Sequence, residues 1–334
     1  MKSFADLSFP LPERLWREDG EPRRLGVELE FAGLPLQRIC ELVMELYGGH
    51  VEQRDPFVQI VQGTRWGDFT VEIDTALLKE RTYSRFLERL GLELEPGGRA
   101  EDLLARLAGT VVPHEIVSPP IPMNEVHQLE RLRQRLQQEQ AQGTRASVLY
   151  AFGLHLNPEA PKADCATALT YLKAFLLLYD WLHVSGQIDW SRRLTPYIDP
   201  FPEPYRRLVV DPDYQPGLAQ LVEDYLRHNA TRNRALDMLP MFRELMGHEA
   251  VRGVPEAKLV KARPAFHYRL PNCRIDEPDW TLAREWFGWV MVEWLAERPD
   301  RMRELGARYL RRKGPALGGV DKLWALESEG WLPA

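Results

Sequence analysis

Leu25-Gly26-Val27-Glu28-Leu29-Glu30-Phe31 decides the fold class. In an extended chain Leu25, Val27, Leu29 and Phe31 share one side, and Gly26, Glu28 and Glu30 share the other. Period two with one apolar face marks a half-buried strand. The pattern recurs in DFTVEIDTAL (68–77), where Phe69, Val71 and Ile73 oppose Asp68, Thr70, Glu72 and Asp74. Residues 110–117 predict a third strand, stopped by Ser118-Pro119-Pro120 because proline cannot donate to a ladder. Residues 147–156 predict a fourth, stopped by Asn157-Pro158, and AFHYRL (265–270) a fifth.

Between these strands the apolar spacing is helical. It predicts helices over 36–47, stopped by Gly48-Gly49, and over 124–142, stopped by Gly143. Others are expected over 163–184, 216–228, 233–247 and most of 279–329, with a glycine-rich break at 314–319. The Pro- and Asp-rich stretch 187–216 predicts a surface excursion, and residues 1–24 an irregular lead-in to one domain spanning 25–334. A doubly wound parallel sheet would require continuously apolar strands. The alternation instead predicts an α+β fold: an antiparallel sheet with helices packed on its apolar face and its polar face open.

Composition narrows the function. The chain has 334 residues, 44% hydrophobic, with ten Trp, which excludes bulk disorder. Lys+Arg number 43 against 49 Asp+Glu, and a net charge of −6 argues against a nucleic-acid or membrane-surface binder. Cys40, Cys165 and Cys273 are odd in number and form no CxxC, so neither a disulfide scaffold nor a zinc ribbon is supported. Each is expected to be a buried structural thiol. No signal-peptide core or membrane-length apolar run is visible, so the expected location is the cytoplasm. The GxxxxGK[ST], GxGxxG, GxSxG and HExxH motifs are all absent.

What remains is a set of polar pairs at i, i+2 on predicted strands: Glu28 with Glu30, Glu72 with Asp74, and His155 with Asn157. Glu115 adds a further acid. Taken alone, each pair is the ordinary solvated side of an amphipathic strand. Together they crowd carboxylates onto one face, where like charges repel and a hard divalent cation would relieve them. Arg232 and Arg269 follow later in the chain, and Arg269 lies in an apolar strand, where an unpaired charge is costly.

These pieces resemble the amidoligase family, which is grouped with glutamine synthetase and glutamate–cysteine ligase. Gly26-Val27-Glu28-Leu29-Glu30-Phe31 is similar to its opening strand, and Val71-Glu72-Ile73-Asp74-Thr75-Ala76-Leu77 to its acidic second strand. Glu115-Ile116-Val117-Ser118-Pro119 resembles its third-strand motif, and Gly153-Leu154-His155-Leu156-Asn157 its His-containing strand. Residues 232–240 resemble its Arg-bearing segment, and Tyr268-Arg269-Leu270-Pro271 its late Arg strand. One departure stands out: where the family often carries Glu two positions before that Arg, this chain has His267.

The resemblance implies a curved, glutamine synthetase-like sheet and ATP-dependent joining of a carboxylate to an amine through an acyl phosphate. It implies two or three Mg²⁺ ions, with Mn²⁺ as an alternative, held by Glu28, Glu30 and Glu115. Asp74 is implied as a ligand or substrate contact. His155, Asn157 and Glu72 fall to nucleotide or substrate binding, and Arg232 and Arg269 to the transferring phosphate. The carboxylate would come from an amino acid, a peptide or a cell-wall-type acceptor. The amine would be ammonia or an organic amine, with a glutamine amidotransferase as an ammonia-supplying partner. His267 and the clustered Trp280, Trp286, Trp289 and Trp294 leave open a non-catalytic binding or scaffold descendant. A metal-dependent hydrolase using the same acids, without ATP, is the third reading.

Overall fold

The expected opening strand is β1 (Arg24–Phe31), with Leu25, Val27, Leu29 and Phe31 buried and Gly26, Glu28 and Glu30 half-buried. The computed structural model describes residues 9–55, 57–73, 113–145, 151–188, 198–255, 257–312 and 320–333. After β1 comes α1 (Leu36–Tyr47), which ends as the glycines predict: the Gly48 N–H donates to Met44 O and both glycines take positive φ. A Cβ on Gly49 would stand 2.4 Å from Gln62 O, so the approach of the next hairpin requires glycine.

The next elements are β2 (His50–Asp55), β3 (Val58–Thr64), β4 (Gly67–Ile73), β5 (His114–Val117), β6 (Ile121–Pro122), α2 (Leu129–Gln138) and β7 (Leu154–Pro158). Then come α3 (Cys165–Ser185), α4 (Glu203–Val210), α5 (Leu218–Asn229), β8 (Leu236–Asp237), α6 (Leu239–Met246) and β9 (His267–Tyr268). The chain closes with α7 (Leu282–Ala296), α8 (Pro299–Arg311) and α9 (Lys322–Glu329). Among the described residues the nine strands form one open antiparallel sheet, in the order β2-β3-β4-β5-β1-β7-β9-β8, with β6 paired to the start of β1. The architecture is α+β.

Helices cover the apolar face from both ends. Tyr47 of α1 stacks on Phe69 of β4 at 5.6 Å. At the other end Phe175 of α3 meets Tyr268 of β9 at 5.9 Å, and Trp289 of α7 packs on the same ring at 5.5 Å. The expected Ser-Pro stop has a structural part as well: Ser118 Oγ accepts the Val27 N–H at 2.9 Å, which locks the end of β5 to β1.

Several expectations change. The β2–β3 hairpin has no signal in the sequence, because His50, Val51, Glu52, Gln53 and Arg54 are all exposed and carry no apolar face. The stretch 187–216 is not a plain surface excursion: α4 lies within it and buries Tyr205, Val209 and Arg206. The helix expected over 233–247 is split into β8 and α6, since Asp237 Oδ1 accepts the Leu239 N–H and starts the helix afresh. The fourth strand runs through Pro158, whose missing N–H falls at the strand end. Asp74, with the rest of 74–77, lies outside the described residues, as do 110–112, 147–150 and 314–319. Three of the four clustered tryptophans belong to the core: Trp280, Trp286 and Trp289 are buried, with indole N–H groups donating to Glu285, Pro10 O and Glu293, while Trp294 is half-buried beneath Arg298. Among the described residues no helix is long and apolar enough to cross a membrane.

Candidate active site

Strand register builds the site. Glu30 on β1 faces Glu115 on β5, and Glu115 faces Glu72 on β4. Three carboxylates therefore lie in one row across three strands, on the face opposite the core. Glu28 faces His155 on β7, and Asn157 follows two positions along the same strand.

Hydrogen bonds order this row. His155 Nδ1 lies 2.9 Å from Glu28 Oε2, and Asn157 Nδ2 donates to Glu28 Oε1 at 2.8 Å. The Gly153 N–H donates to Glu30 Oε2 at 2.6 Å, and His155 Nε2 lies 3.4 Å from Glu30 Oε1. From β9, His267 Nε2 reaches within 3.9 Å of Glu28 Oε2, while its Nδ1 lies 3.7 Å from Asp237 Oδ2 on β8. The two imidazoles meet edge to face at 5.4 Å.

Burial alone would raise the Glu28 carboxyl. The His155 hydrogen bond and the charges of His267, His155 and Arg263 overcome it, and hold the group well below the usual carboxylate range. Burial depresses His267 against the opposing pull of Asp237 and Glu28, which favours its neutral, lone-pair-bearing form. Among the described residues, two overlapping groups of donors could hold a metal ion: Glu28 with His155 and His267, and Glu30 with Glu115 and His155. Within each group the donor atoms all lie within 4.8 Å of one another. Carboxylate and imidazole donors suit a divalent cation, so the residues present fit the group that the sequence implies.

The structure thus brings together Glu28, Glu30, Glu72, Glu115, His155 and Asn157. Arg269 follows His267 by two positions. Its guanidinium donates to the backbone carbonyl of Arg232 and lies 3.4 Å from Asn233 Oδ1, so the two arginines are joined through main chain. Three contributors escaped the sequence. Asp237 sits in a two-residue strand too short to show a period, Arg263 lies in a loop, and Gly153 acts through its backbone. The thiols stand apart: Cys40 and Cys273 are buried and Cys165 is half-buried at the start of α3. Burial pushes the Cys40 thiol up to about 11.

A family model described as "Putative amidoligase enzyme" matches residues 21–291. The chain belongs to the amidoligase family. By class an amidoligase is an amide-forming ligase, and every site residue above falls inside the matched span. The amidoligase match ends within α7, so α8 and α9 lie beyond it. No curated protein and no solved structure matches the chain.

Proposed function

We propose that the protein is an ATP- and Mg²⁺-dependent carboxylate–amine ligase with a glutamine synthetase-like sheet. The observation that carries this reading is the cross-strand row Glu30–Glu115–Glu72, with Glu28, His155 and Asn157 beside it, in an amidoligase. The acids on the row are only half-buried, so a ligand can reach them. In this reading the γ-phosphoryl group passes to the substrate carboxylate. The amine attacks the acyl phosphate, and an amide, ADP and phosphate leave.

Glu28, Glu30 and Glu115 would hold the ions, which neutralise charge on the transferring phosphoryl group when bound. His155 and Asn157 orient Glu28, and the Gly153 N–H fixes Glu30. Arg269 and Arg232 would grip phosphate oxygens, a task that suits the guanidinium fork. Asp74 would contact the ligand or an ion. The substrates would be an amino acid, peptide or cell-wall-type carboxylate and an amine or ammonia, the latter supplied by a glutamine amidotransferase. The site would work in the cytoplasm. The scaffold alternative loses one motive, because Trp280, Trp286 and Trp289 are used in the core.

Calorimetric titration with a non-hydrolysable ATP analogue, with and without Mg²⁺, tests the reading. Binding should require Mg²⁺ and be lost in Glu28→Gln. With carboxylate and amine pairs screened for ADP release, Glu28→Gln/Glu30→Gln should lose about 10²- to 10³-fold or more in amide formation. Intact amide formation in that variant would remove the site assignment. No nucleotide binding by the folded wild type would remove the ligase reading.

A further inference from the structure

The two donor groups share His155 but differ in composition: Glu30 and Glu115 supply two carboxylates to that one imidazole, whereas Glu28 is faced by two imidazoles, His155 from β7 and His267 from β9. We propose that Glu28, His155 and His267 form a two-imidazole, one-carboxylate centre that takes a first-row transition-metal dication in preference to Mg²⁺. The all-oxygen preference of Mg²⁺ would then be met only beside it, at Glu30 and Glu115. This rests on the reading of the polar face as the ligase's metal site and names the ion for half of it.

Geometry carries the inference. Donors around a tetrahedral ion with bonds near 2.0–2.1 Å stand about 3.3 Å apart. Here Glu28 Oε2 lies 2.9 Å from His155 Nδ1, a hydrogen bond that the ion would replace, and 3.9 Å from His267 Nε2, so the two contacts bracket that spacing. His267 is 8% exposed, and its Nε2 is buried with no hydrogen-bond partner while pointing toward Glu28. A buried ring nitrogen without a partner is costly unless something accepts its lone pair.

Both imidazoles are also backed by a carboxylate on the far nitrogen. His267 Nδ1 turns to Asp237 Oδ2 at 3.7 Å, and His155 Nε2 turns to Glu30 Oε1 at 3.4 Å. A carboxylate behind a ligating histidine fixes the tautomer and raises its basicity. Imidazole donors favour Co²⁺ and Zn²⁺ over Mg²⁺, which binds carboxylate and water.

The test uses full-length protein stripped with a chelator, with no nucleotide present. One equivalent of Co²⁺ is added and the paramagnetically shifted imidazole N–H protons are counted by NMR. Wild type should show two such signals, and His267→Gln should show one. Calorimetric competition should give Co²⁺ at least 100-fold tighter than Mg²⁺ in wild type, and His267→Glu should narrow that ratio at least tenfold. Circular dichroism checks that both variants fold. One or no shifted imidazole signal in folded wild type overturns the proposal without recourse to a variant. An unchanged Co²⁺/Mg²⁺ ratio in a folded His267→Glu also overturns it. Amide formation is read separately, so ligation without the two signals sinks only this inference. Two signals without ligation sink only the ligase reading.

Discussion

At Glu28 burial disfavours charge, yet the surrounding donors keep the carboxylate ionised. That balance has a pH consequence. The folded-state pKa lies below the unfolded value of about 4.3, so the unfolded chain takes up a proton first as pH falls. The stability that Glu28 contributes is therefore fully present above that value and is lost as pH drops through the folded one. Urea denaturation of wild type and Glu28→Gln at pH 7, 5 and 3 should show the gap between them shrinking toward pH 3. A gap that stays constant or widens on acidification would mean that Glu28 is not held charged by its neighbours. Asn157 acts one step out, by holding Glu28 Oε1. Asn157→Ala should weaken Mn²⁺ binding about 10- to 100-fold in a calorimetric titration, the usual loss when a ligand's supporting partner is removed. An unchanged affinity would take Asn157 out of the site.

At the scale of elements, what could be read in the sequence depended on whether a segment has one wet and one dry face. β1 and β4 do, and their alternation alone puts Glu28, Glu30 and Glu72 on the face away from the core. β2 is wet on both faces, and β8 and β9 are two residues each, below the length at which a period exists. Asp237 and the bond geometry of His267 were therefore invisible, because they arise from the pairing of distant segments. The same applies to Arg23. It looks like a surface charge in a polar lead-in, yet it is buried and grips Glu293 of α7 with two bonds of 2.7 Å. Removing one partner of such a pair strands the other charge. Arg23→Met and Glu293→Leu should each cost about 3–5 kcal/mol, and the double variant should cost less than their sum by about 2 kcal/mol or more. Strictly additive losses in urea denaturation would show that the pair is not coupled.

Across the whole molecule α3 links the sheet to the C-terminal helices. On one side Tyr171 stacks on Phe266 and Phe175 meets Tyr268, the residues flanking His267. On the other side Trp324 of α9 donates its indole N–H to Leu177 O at 2.9 Å, and the Asp321 N–H donates to Asp180 Oδ1 at 3.2 Å. Asp180 in turn pairs with Arg206 of α4 at 2.6 Å, and Arg312 bridges Asp321 and Glu203. α9 shows its own division: Leu323 and Leu326 are exposed, whereas Trp324 and Ala325 are buried. So the helices beyond the family match are part of the core that backs the site, and not an appendage. Trp324→Ala would open a cavity the size of an indole next to α3 and leave Leu177 O without its donor. The expected cost is about 3–5 kcal/mol in urea denaturation, with a single cooperative transition retained. A loss below about 1 kcal/mol would mean that α9 is held too loosely to support α3, and the C-terminal helices would then have no part in positioning β9.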